Sequence, residues 1–153
     1  MGYTSVGMFE NVVYDGIPRA LAQLQAQGAT LFVATAKPTV FAEQILEHFG
    51  LRGFFRGVYG SEMDGTRSAK TDLIAHVLAQ AKLDPGSTAM VADRSHDMIG
   101  ALATGVLPVG VLWGYGGADE LRLAGASVMV EDPRELAGLA IGLDPQHQEL
   151  ARG

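Results

Sequence analysis

The chain has 153 residues, 48% of them apolar and 18% charged, which fits one globular domain with a substantial core and excludes a disordered segment. Its formal charge is −6, from 11 Lys+Arg against 17 Asp+Glu, and that balance excludes a basic face for nucleic acid polymers or anionic membranes. Cysteine is absent, so disulfides, thiolate catalysis and Cys-ligated zinc are excluded too.

No apolar run approaches the ~20 residues that span a bilayer. Met1 to Glu10 lacks the basic start and apolar stretch of a signal peptide, so a cytoplasmic protein is the expectation. In chain order, Asp15-Gly16-Ile17-Pro18 opens a predicted helix to about Gln27, with Ile17, Leu21 and Leu24 on one face and Gly28 as its stop. Thr30 to Thr35 (TLFVAT) reads as a strand buried on both faces. Lys37-Pro38 then opens a second helix with Val40, Phe41, Ile45, Leu46 and Phe49 at helical spacing, and Phe54 to Tyr59 gives a short strand. Residues 60–70 read as a polar loop, followed by a helix from Lys70 to about Ala81. A third strand runs from Thr88 to Val91 and delivers Asp93, and a helix from about Asp97 to Thr104 follows it. Val109 to Trp113 and Val128 to Val130 are further strands, with helices at Glu120 to Ala124 and Pro133 to Leu139. Residues 1–143 read as one core domain and 144–153 as a polar, frayed tail.

Strands alternating with helices imply an α/β, doubly wound, mostly parallel sheet covered on both faces. Ligands of such sheets bind at the carboxyl ends of the strands. Thr35, Lys37, Asp93 and Asp97 follow strands, and Lys70 follows the loop after another. Asp93 and Asp97 (ADRSHD) can meet near one point, and oxygen-only ligands suit Mg²⁺. Thr35 leaves a strand ahead of a helix start, where a hydroxyl and backbone N–H groups can hold phosphate. Lys70 supplies a compact cation for an anionic transition state.

The segments VATAKP (33–38), SAKTDLI (68–74) and MVADRSHDMIGA (90–101) resemble, in order and spacing, the second, third and fourth motifs of haloacid dehalogenase-type phosphatases. GMFENVVYDGIP (7–18), YGSEMDGTRSAK (59–70) and VGVLWGYGG (109–117) are similar to the phosphoglycolate phosphatase and 5′-nucleotidase-like branch. The resemblance implies a Rossmann-like core that hydrolyses a small phosphorylated metabolite, phosphoglycolate or a nucleoside 5′-monophosphate, through an aspartyl-phosphate with Mg²⁺. It makes Thr35 and Lys70 the catalytic candidates. Ala36, Lys37 and Arg94 join them as phosphate or substrate neighbours, and Asp93 and Asp97 are the metal candidates.

The family's nucleophile motif, D-x-D-G-T at the end of its first strand, is not in this sequence. Asp15 in VVYDG reads as a helix-start residue. EMDGT (62–66) puts Glu62 in the nucleophile slot but follows the wrong strand. Ala92 stands where the family has glycine, and His96 reads as solvent-facing. Trp113 and Tyr115 read as packing near the sheet end. The expectation is therefore a sheet lacking its first, central strand and its helical cap. The strands ending at Thr35 and Asp93 would then pair directly or leave unpaired backbone that invites another chain, so the expectation is a self-associating sheet, giving a homo-oligomer, or a rearranged one. A non-catalytic core that binds phosphate or metal, or serves assembly, is the competing reading.

Overall fold

The computed structural model describes residues 6–9, 16–61, 69–114 and 116–136. Its strands are β1 (Val6–Phe9), β2 (Thr30–Pro38), β3 (Gly57–Ser61), β4 (Thr88–Ala92), β5 (Leu107–Val111) and β6 (Val128–Val130). The helices are α1 (Ile17–Ala26), α2 (Thr39–His48), α3 (Lys70–Ala81), α4 (Ser95–Thr104) and α5 (Ala118–Leu123), with short 3₁₀ turns at Arg52–Phe54, Pro85–Ser87 and Pro133–Leu136. The strands form one sheet in the order β3-β2-β1-β4-β5-β6, every described pair parallel.

Side chains alternate across this sheet with the period of two that a strand imposes. Phe9, Leu31, Val33, Val91, Val109 and Val111 join one core layer, which Ile17, Leu21 and Leu24 of α1 and Leu46 of α2 complete. Phe32, Ala34, Met90 and Ala92 point the other way, against Leu73, Ile74 and Val77 of α3, Met98 of α4 and Leu121 of α5. With both faces covered, β4 is buried at all five positions, as a central parallel strand must be. Trp113 packs against the first layer, in keeping with the sequence reading; Tyr115 lies outside the described residues.

Two expectations are corrected. The sheet does not lack a central strand: β1 occupies that place, pairing Val6 to Phe9 with Thr30 to Val33 on one side and Thr88 to Val91 on the other. Four residues interrupted by Gly7 give no recognisable apolar run, so nothing local marks VGMF as a strand. Unpaired N–H and C=O groups on both neighbours supply the reason to extend it. The sheet is thus rearranged, one of the two outcomes expected, with Val6–Phe9 filling the place from which self-association is argued. The second correction concerns only a boundary: Lys37 still belongs to β2, while Pro38 is the N-cap residue from which α2 opens. β2 runs through Pro38 and α2 begins at Thr39. Proline holds the residue before it extended, and the pairing with β3 shifts register between Ala34 and Pro38.

Candidate active site

The register sets the positions of the site residues. Phe9 pairs with both Val33 and Val91, so Thr35 and Asp93 each stand two residues beyond the same row, on either side of the end of β1. Two strand spacings make that separation about 10 Å, a gap that a hydrated cation and a phosphoryl group can bridge. Thr35 is 2% exposed and Asp93 4% exposed.

The loop after β2 is held from β3. Ser61 donates its hydroxyl to the Ala36 carbonyl at 2.9 Å, and the Gly60 N–H donates to Thr39 Oγ1 at 2.9 Å. A Cβ at Gly60 would stand 2.7 Å from the Thr39 nitrogen, so only glycine admits this approach. The Lys37 N–H turns back onto Thr35 Oγ1 at 3.2 Å. Ala36 and Lys37 themselves are exposed at the sheet end.

On the other side, Lys70 is the first residue of α3 and Asp97 lies in the first turn of α4. Lys70 Nζ stands 2.7 Å from Asp97 Oδ1, with the two side chains 4% and 0% exposed. The helices approach this closely because α4 carries Gly100, where a Cβ would meet the Thr71 nitrogen at 3.1 Å. The contact is an ion pair at hydrogen-bond distance, and among the described residues no other hydrogen bond reaches either Asp97 oxygen. Burial pushes the Asp97 carboxyl above its ordinary range, and the Lys70 ammonium pulls against that. His96 is exposed as the sequence suggests, yet its Nε2 lies 3.8 Å from Asp97 Oδ2.

Arg94 turns sideways from the sheet end. Its Nε donates to Glu120 Oε2 at 3.2 Å, and the same oxygen accepts the Ser95 N–H at 2.8 Å. Those two bonds, the Ser95 one first, hold the Glu120 carboxyl below its usual range. Gly60, Ser61, Thr39, Gly100 and Glu120 were invisible to a search for polar residues after strands, since each acts on a neighbouring element. The glycine density of VGVLWGYGG was the one available hint of close packing near Asp93. Asp15, Glu62 and Asp64 lie outside the described residues.

The buried pair suits a hard cation. Asp93 and Asp97 offer carboxylate oxygens, those of Asp97 bonded among the described residues to Lys70 alone, and Mg²⁺ takes one or two carboxylates while keeping positions for water and phosphate. Among the described residues there is no group of three or more His, Cys, Asp or Glu.

Comparison with known proteins places the chain in a family. Residues 8–111 match the model of the haloacid dehalogenase-like hydrolases, and the chain belongs to that family. It is 48% identical over 116 residues to the 5′-nucleotidase of Pseudomonas aeruginosa, across 76% of this chain and 52% of that protein. It is 40% identical over 142 residues to the tyrosine-protein kinase PtkA of Mycobacterium tuberculosis, across 90% of this chain and 49% of the kinase. The crystal structure of a predicted phosphatase from Clostridium acetobutylicum superposes with a TM-score of 0.81 at 41% identity, covering 84% of this chain and 59% of that one. The chain spans about half the length of the curated relatives it matches.

Proposed function

We propose that Thr35, Lys70, Asp93 and Asp97 are the phosphate- and Mg²⁺-holding residues of a phosphate monoester hydrolase. The observation that supports this most is the buried Lys70–Asp97 pair, with Asp93 close enough to act on the Asp97 carboxyl. A buried ion pair adds little to stability compared with apolar packing of the same volume, so its use here argues for chemistry.

In this reading the Thr35 hydroxyl binds a phosphoryl oxygen, with Ala36 and Lys37 beside it at the exposed edge. Lys70 fixes Asp97 and presents positive charge toward the phosphoryl group. Asp93 is the direct Mg²⁺ ligand and Asp97 a direct or water-mediated one. Mg²⁺, when bound, neutralises charge on the phosphoryl oxygens. Arg94 serves the protein scaffold before the substrate, given its bond to Glu120. The attacking carboxylate of the family's aspartyl-phosphate route has no D-x-D-G-T counterpart in the sequence. A second reading is that this chain binds phosphate and metal without turnover. Nucleoside 5′-monophosphates and phosphoglycolate are the substrates to compare, and similarity to a 5′-nucleotidase puts the nucleotides first.

The test is hydrolysis of both esters and of a generic aryl phosphate, with and without Mg²⁺, by wild type and Asp93→Asn. Turnover that requires Mg²⁺ and disappears in Asp93→Asn supports the hydrolase, with Glu62, Asp64 and Asp15 the first residues to examine as nucleophile. Activity no higher than that of Asp93→Asn leaves the non-catalytic reading standing.

A further inference from the structure

The segment between β5 and α5 takes no part in the chemistry above, yet it closes on Asp93 from outside. A Cβ on Gly114 would overlap the Asp93 side chain, and one on Gly116 would overlap the Asp93 carbonyl oxygen. Neither overlap can be relieved by swinging a flexible side-chain end, because the first involves the Asp93 Cβ and the second its backbone. Four residues after Gly116, Glu120 Oε2 accepts the Ser95 N–H at 2.8 Å and the Arg94 Nε–H at 3.2 Å. That oxygen also lies 3.2 Å from the position a Gly116 Cβ would take, so glycine and carboxylate form one contact. Arg94 is the N-cap residue of α4 and its side chain makes no cap bond. The first turn of the helix that carries Asp97 is thus capped from another element, by a carboxylate at the positive end of its dipole.

The geometry points to a clamp in which Gly114, Gly116 and Glu120 are positioning residues, fixing the Asp93–Asp97 segment in the shape that binds a divalent cation. Arg94 and Ser95 lie between the two carboxylates in sequence, so holding that stretch sets their relative orientation. Outer groups that orient metal ligands commonly govern affinity as strongly as some ligands do. The inference rests on the reading of Asp93 as the Mg²⁺ ligand.

The experiment is calorimetric titration of the whole 153-residue chain with Mg²⁺ alone, for wild type, Asp93→Asn, Glu120→Ala, Glu120→Gln and Gly114→Ala, alongside thermal unfolding of each. The clamp requires Glu120→Ala to weaken Mg²⁺ binding by about tenfold or more, and Glu120→Gln, which keeps an acceptor oxygen, to recover most of it. A purely structural Glu120 would lower the unfolding midpoint while leaving the affinity of the folded protein unchanged. That result, with Asp93→Asn abolishing binding, overturns the clamp and spares the metal reading. Binding undiminished in Asp93→Asn overturns the metal reading and the clamp together. Should Glu120→Ala fail to fold, Glu120→Asp, which draws the carboxylate back from the Ser95 N–H, is read by the same affinity criterion.

Discussion

Two loops leave the sheet on either side of β1, one after β2 and one after β4, and each is braced by its outer neighbour with different chemistry. The first is held by hydroxyl and backbone groups of Thr39, Gly60 and Ser61 and leaves Ala36 and Lys37 exposed. The second is held by the Lys70 and Glu120 charges and by two close glycines, and it buries Asp93 and Asp97 almost completely. Under the proposed function, the contrast follows from what each loop would present. A phosphate-facing edge needs polar groups open to a ligand that arrives hydrated. A pair of carboxylates that repel one another needs cations and fixed dipoles to stay together out of water.

The largest effect is expected on the charged side. Lys70→Met leaves Asp97 buried without its cation and should lose roughly 3–5 kcal/mol of stability at neutral pH in denaturant titrations. Burial already raises the Asp97 carboxyl, with Lys70 the main opposing influence. In the variant the folded state binds that proton more tightly than the unfolded chain does. Stability must then fall as pH rises through the raised value, and the deficit must shrink as pH drops below it. A deficit that ignores pH would mean Asp97 is not the buried charge described. The neutral side should respond less. Gly60→Ala forces a methyl against the Lys37–Thr39 backbone and should lose about 1–3 kcal/mol. It should also weaken phosphate binding without changing Mg²⁺ affinity; an equal loss of both would show that the two braces are not independent.

Much of this arrangement can be read in the sequence, for identifiable reasons. α3 begins at Lys70 and ends at Ala81 where periodicity places it, and β6 covers Val128–Val130 as expected. The proposed roles of Thr35, Asp93 and Asp97 come from the rule that parallel sheets bind ligands at the carboxyl ends of their strands. β1 is not legible, since Val6–Phe9 becomes a strand through the needs of β2 and β4 rather than its own pattern. The end of β2 is read a few residues short, because the register shift against β3 between Ala34 and Pro38 leaves no local signal, although the helix opening at Pro38 is read correctly. Glu120 is not legible either: its importance lies in a contact 25 residues away along the chain.

The central claim is that the Thr35 and Asp93 loops act on one phosphate–Mg²⁺ complex. A double-mutant cycle on inorganic phosphate binding in saturating Mg²⁺, with Thr35→Val, Asp93→Asn and the double variant, tests it most directly. The account predicts coupled losses, the double variant falling short of the sum of the singles by roughly 0.5–3 kcal/mol. Strictly additive losses, or a Thr35→Val variant that binds phosphate as wild type does, would contradict it.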